Sequence, residues 1–195
     1  MKNVVADILA DSIAVKKEFI QDNDARIVAA AKTVASALSN GHKVLLFGNG
    51  GSAADAQHLA AEFVNRFRIE RPPLAAIALT TDTSIITSIG NDYHFDDIFA
   101  KQIRAIGQVG DVAIGISTSG NSPNVVRAIE AAKEMDLITV GLAGRGGELA
   151  KVAETCFKVK SDTTARVQEA HIIWGHMLCD LVDRILFPDQ FQNGE

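Results

Sequence analysis

The sequence predicts an α/β fold, a doubly wound, five-stranded parallel sheet with a helical extension at its N-terminus. Three observations predict it. Short apolar runs closed by small or polar residues recur along the chain, helical patterns separate them, and residues 1–38 are helical in pattern before the first such run. Strands and helices alternating at these lengths imply right-handed crossovers and therefore parallel strands.

In chain order, residues 1–38 place Val4, Ile8, Leu9 and Ile13, then Ile27, Ala30, Val34 and Leu38, at helical spacing. Asp22-Asn23-Asp24 interrupts the pattern, so two helices with a break there are expected. Lys43-Val44-Leu45-Leu46-Phe47 runs into a glycine cluster, the pattern of a strand buried on both faces. Comparable runs follow at 75–79, 112–116, 138–142 and, more weakly, 156–159. Helical patterns lie between them at 52–66, 82–106 with a break near Gly90, 122–135 and 146–153. A long helix from Thr164 to Phe187 stops before Pro188, and DQFQNGE reads as a frayed tail. One domain over 1–195 is expected, with helices over 1–38 and an α/β core over 43–187.

Composition narrows the function. A formal charge of −5 and no Lys/Arg cluster argue against a nucleic-acid surface. The apolar runs are far shorter than the roughly 18 residues a membrane span needs. Asp7 and Asp11 interrupt the N-terminal apolar pattern, so no signal peptide is expected. Cys156 and Cys179 lack metal-type spacing and read as buried thiols, which fits a cytoplasmic protein.

In such a sheet ligands bind beyond the carboxyl ends of the strands. There the third strand runs into Ser117-Thr118-Ser119-Gly120-Asn121-Ser122. Ser122 suits an N-cap and Pro123 the first helical position. Four hydroxyls within the six residues before a helix start point to a phosphate rather than an ordinary capped turn. The first strand ends in Gly48-Asn49-Gly50-Gly51-Ser52, whose glycines permit close backbone approach to a ligand. Its spacing does not match a dinucleotide fingerprint, and the serine loop lacks the Lys-Ser/Thr of an ATP loop. Ser52 and Asp55 fit a cap pair for the next helix, leaving Asn49 free to bind something.

His58 and Glu62 are four residues apart and share a helix face. The pair suits either a zinc site or a surface polar pair. The last helix, ARVQEAHIIWGHMLCDLVDRI, carries Gln168, Glu169, His171 and His176 on an apolar background, where polar groups need partners. Spacing alone does not select which of them joins His58.

Together, LLFGNGGSAADAQHLAAEFVNRF, SIGNDYHFDDIFAKQIRAIGQVGDVAIGISTSGNSPNVVRAIEAAK and RVQEAHIIWGHMLCDL resemble the phosphoheptose isomerase family, across essentially the whole chain. The resemblance implies a flavodoxin-like SIS domain (the sugar-isomerase fold) in a cytoplasmic homotetramer with one zinc per subunit. The implied reaction interconverts sedoheptulose 7-phosphate and D-glycero-D-manno-heptose 7-phosphate, for bacterial surface heptose. It implies His58, Glu62, Gln168 and His176 as zinc ligands. Substrate contacts would come from Asn49, Gly50, Gly51, Asn91, Asp92, Ser117, Thr118, Ser119 and Ser122, with Glu62 and Gln168 touching both metal and sugar. NRFRIERPPLAAIALTTD and CDLVDRILFP also resemble a tetrameric replication-initiator-associating protein of the same fold, a binding protein. Glu62 and His176 favour the enzyme, because that group lacks both.

Moving a proton between C1 and C2 of a sugar needs a base, an acid and stabilisation of an enediolate. Glu62 and His176 are the acid/base candidates, with Asp92 as a second candidate base. Gln168 and His176 are separated by about 12 Å of helix rise, so a subunit interface would ease their convergence with His58 and Glu62.

Overall fold

The computed structural model describes residues 1–192. Five parallel strands, β1 (Val44–Gly48), β2 (Ala76–Ala78), β3 (Val112–Ser117), β4 (Ile138–Ala143) and β5 (Thr155–Lys158), lie in the order β2-β1-β3-β4-β5. The expected doubly wound sheet is present. Strand order reverses between β1 and β3, which leaves a crevice at their carboxyl ends.

The alternation of side chains divides the core. Val44, Leu46, Val112, Ile114 and Ile116 face one layer, packed under α1 (Lys2–Ser39), α2 (Gly51–Val64) and α7 (Thr164–Leu186). Leu45, Phe47 and Ala113 face the other, under α3 (Thr83–Asp92), α4 (Ile98–Ile106), α5 (Pro123–Glu134) and α6 (Leu149–Val152). β1 and β3 are buried along their whole length, as their unbroken apolar runs require. Among the described residues no helix is long and apolar enough to cross a membrane.

Several sequence expectations need correction. The N-terminal region is one helix of 38 residues, continuous through Asp22-Asn23-Asp24. Asn23 is buried, its amide donates to Phe19 O at 2.8 Å, and Arg26 donates to its Oδ1 at 2.8 Å. Asp22 pairs with Lys160 at 2.7 Å. With those partners the polar run costs the helix only tenths of a kcal/mol, roughly, in propensity. Gly90 sits inside α3; the break falls at Tyr93 and His94, before a 3-10 turn at Phe95–Asp97. The 146–153 helix shrinks to the single turn of α6. Ser52 is not a cap: α2 begins at Gly51 with Gly50 as N-cap at φ 54°, a conformation that favours glycine. Asp189–Gln192 forms one helical turn, α8, where a frayed tail was expected; the rest of that segment lies outside the described residues.

Candidate active site

The loop after β3 gathers its hydroxyls inward. Ser117 is buried, and its Oγ lies 2.9 Å from Ser122 Oγ and 3.4 Å from Ser119 Oγ. Ser122 takes the N-cap position of α5 with Pro123 behind it, yet its hydroxyl makes no capping bond. Pro123 has no N–H, and Val125 and Val126 N–H both donate to Ser122 O at 3.0 Å, so an anion here would meet the hydroxyls and the positive end of the helix rather than a row of free N–H groups.

Asn49 is not free. Its Nδ2 donates to Asn124 Oδ1 while Asn124 Nδ2 donates to Asn49 Oδ1, both at 2.8 Å. This amide pair ties the β1 loop to α5 on the far side of the crevice. Asn124 went unnoticed in the sequence, although a buried amide just inside a helix start needs such a partner. Asp55 lies too far into α2 to cap it. Its Oδ2 is buried without a partner, and burial pushes its carboxyl above the usual range against the pull of His58.

Further along the seam between α2 and α7, three expected residues meet. His58 Nε2 lies 2.9 Å from His176 Nε2, the rings edge to face, and 3.4 Å from Glu62 Oε1. Gly175 allows this closeness, since a Cβ there would fall 2.5 Å from both Leu59 methyl groups. Phe67 stacks on His176 with ring centroids 5.5 Å apart. Burial first, then the neighbouring His58, hold His176 below the ordinary imidazole value, against the Glu62 carboxylate. His176 is therefore neutral near pH 7, the form that binds metals.

Arg71 fastens the seam from behind. Its guanidinium donates to Glu62 O and Phe63 O, both at 2.8 Å, and to Asp183 Oδ1 at 2.6 Å. Arg71 and Asp183 side chains are each 1% exposed. Burial raises the Asp183 carboxyl even so, outweighing Arg71. An acid two turns beyond His176 on an apolar helix was the sequence signal for this clamp.

The other expected residues have partners of their own. Gln168 covers Gly51 at the start of α2, in contact with where a Cβ would stand. Asn91 donates to Asp92 at 2.8 Å, and both are exposed. His171 is a core residue bonded to Ala143 O at 3.1 Å. Glu169 receives Arg166 and Ser12, joining α7 to α1.

Zinc tests the row formed by Glu62, His58 and His176. Ligand atoms of a tetrahedral zinc stand about 3.3 Å apart, given bonds of about 2.0–2.2 Å. The two observed separations, 2.9 and 3.4 Å, lie near that value, and N, N and O are donors zinc accepts. Among the described residues, however, no group of three or more His, Cys, Asp and Glu is arranged to hold a metal ion, so these three do not form a closed site by themselves.

The sheet order, the hydroxyl-lined helix start and the crevice define a sugar-phosphate-binding α/β class, and a SIS-domain family model matches residues 9–144. A phosphoheptose isomerase of Nitratidesulfovibrio vulgaris is 57% identical over 96% of this chain and 91% of its own. The solved phosphoheptose isomerase of Neisseria gonorrhoeae is 47% identical with a TM-score of 0.88, over 93% of this chain and 98% of that one. That of Francisella tularensis is 41% identical with a TM-score of 0.89, over 93% and 97%. This chain belongs to the phosphoheptose isomerase family of SIS-domain enzymes.

Proposed function

We propose that this enzyme interconverts sedoheptulose 7-phosphate and D-glycero-D-manno-heptose 7-phosphate, feeding bacterial surface heptose. The observation that carries the reading is the row of one carboxylate and two imidazoles on the α2–α7 seam. It lies on the helices that border the crevice, beyond the hydroxyl loop. Groups able to take and deliver protons, brought this close together, are what an isomerase needs and what a module that only bound a partner would not require.

The hydroxyls of Ser117, Thr118, Ser119 and Ser122 and the N-terminus of α5 hold the phosphate. Glu62 turns one oxygen to His58, and its other oxygen removes the proton from the carbon next to the carbonyl. His176, neutral, delivers a proton to the carbonyl oxygen, giving a cis-enediol. Reversal at the neighbouring carbon completes the isomerisation. Each group of this kind contributes roughly 10²–10⁴-fold. His58, Glu62 and His176, with Gln168, would hold one zinc per subunit, which when bound polarises the sugar carbonyl as a Lewis acid.

We also infer a homotetramer, supported by the apolar flank of α1 where Val4, Val5, Ile8, Leu9 and Ile13 are exposed. The cytoplasm is the proposed compartment, because Cys156 and Cys179 are free thiols.

A coupled assay on sedoheptulose 7-phosphate, with metal analysis and light scattering on the same sample, tests all of this. Turnover that falls on chelation supports the reading. Absence of turnover together with capture of a replication initiator would replace it with the scaffold reading.

A further inference from the structure

The hydroxyl loop, Ser117 to Ser122, contains no cation, although its expected ligand is a dianion. A cavity of about 290 Å³ opens beside it, lined in part by Thr118, Ser119, Arg145, Ser161, Asp162 and Thr164. Among the described residues lining it, Arg145 alone is basic.

The backbone carrying Arg145 is locked to the hydroxyl loop. Gly144 N–H donates to Thr118 O at 3.1 Å, and Leu149 N–H donates to Gly120 O at 2.9 Å. Glu148 N–H donates to Asn121 Oδ1 at 3.0 Å. A Cβ on Gly120 would run into Gly146 O, and one on Gly144 into Thr118 O, so the two loops meet backbone to backbone. The root of Arg145 is thus fixed relative to the hydroxyls, while its side chain is 61% exposed.

What occupies the guanidinium now is a carboxylate. Arg145 Nε and Nη2 form a fork on Asp162 Oδ1 and Oδ2 at 2.6 and 2.8 Å. The Asp162 side chain is 80% exposed. A guanidinium fork fits a phosphate as well as it fits a carboxylate. An ion pair this exposed contributes little to stability, so exchanging its anion is cheap.

We propose that Arg145 is a phosphate-recognition residue, which leaves Asp162 to grip the phosphoryl group of the substrate from the cavity side, opposite the hydroxyls. The assignment rests on reading the hydroxyl loop as the phosphate site. Asp162 acts as a stand-in anion that keeps the guanidinium extended over the cavity between turnovers. Thr164, the first residue of α7, lines the same cavity, so a second helix start adds its positive end.

The test uses inorganic phosphate binding by calorimetry beside steady-state kinetics on sedoheptulose 7-phosphate. Arg145→Gln should weaken phosphate binding and raise KM about ten- to hundredfold, the loss of a charged hydrogen bond, with kcat within about twofold. Arg145→Lys should recover part of the loss, since it keeps the charge without the fork. Asp162→Asn, which frees the guanidinium, should leave phosphate binding unchanged or tighten it. A clasp that merely joins two loops predicts the opposite pattern, with Arg145→Gln and Asp162→Asn weakening phosphate alike. That result, unchanged binding in Arg145→Gln, or a wild type that binds no phosphate would overturn the proposal. A wild type that binds phosphate through Arg145 but turns over no sugar would support it while sinking the isomerase reading.

Discussion

The hydroxyl loop after β3 is held by backbone, whereas the row Glu62–His58–His176 is held by side chains from two helices more than a hundred residues apart in sequence. In the loop, Gly120 and Gly144 bring two chain segments into direct contact, and the serines differ in number by five at most. In the row, spacing depends on Gly175 against Leu59, on Phe67 over His176 and on the Arg71–Asp183 pair behind. The first region should therefore tolerate changes in helix packing that disable the second. Binding and chemistry ought to separate cleanly under mutation.

The largest effect should come from the row itself. Glu62→Gln and His176→Asn are each expected to lower kcat at least ~10²-fold. Inhibition by inorganic phosphate should stay unchanged in both, because the loop is untouched. Phosphate inhibition falling in step with kcat would show that the two regions are not independent.

A smaller effect should follow from widening the seam without touching a functional group. Gly175→Ala places a methyl group where Leu59 already packs. Overpacking of this kind costs about 1–3 kcal/mol. Displacing α2 from α7 should lower kcat by about tenfold, since misplacement of about 1 Å can cost up to 10²-fold. Urea unfolding and kinetics on one preparation check both figures. Full activity despite lowered stability would mean that the helix spacing does not set the row.

On the other side of the comparison, Ser119→Ala should act on KM. A hydrogen bond to a charged group contributes roughly 1.5–3 kcal/mol, so KM for the phosphorylated ketose should rise several-fold or more with little change in kcat. An unchanged KM would remove Ser119 from the phosphate site.

Legibility in the sequence follows the same division. The five strands and the hydroxyl loop could be read directly, because unbroken apolar runs and a Ser-Gly-Asn-Ser-Pro helix start are local signals. His58 and Glu62 were legible as a pair for the same reason, four residues on one helix. Their meeting with His176 came only through family resemblance, because nothing local relates α2 to α7. Arg71 and Asn124 escaped notice since their partners, Asp183 and Asn49, are distant in sequence. Asp22-Asn23-Asp24 misled because a polar run reads as a break until Phe19 O, Arg26 and Lys160 supply its partners.

His171 belongs to neither region, and it offers the smallest effect to measure. Its ring is 1% exposed, Nε2 donates to Ala143 O at 3.1 Å, and Nδ1 is buried without a partner. Burial lowers its pKa from 6.5 to about 4, with the bond to Ala143 pulling the other way. The unfolded chain therefore takes up this proton at a higher pH than the folded one. Above pH 6.5 neither state is protonated and nothing is lost; from 6.5 down to about 4 stability falls with pH. At pH 5 the loss from this one group is about 2 kcal/mol. Ala143 ends β4 and precedes Gly144, which bonds Thr118, so acid should loosen the phosphate end before the helical row. His171→Gln cannot titrate, and its stability should fall less than that of wild type between pH 7 and pH 5, by about the same 2 kcal/mol. Urea unfolding at both pH values, at one protein concentration, makes the comparison. Equal losses in the two proteins would mean that the acid sensitivity has its source elsewhere, in groups that His171 does not touch.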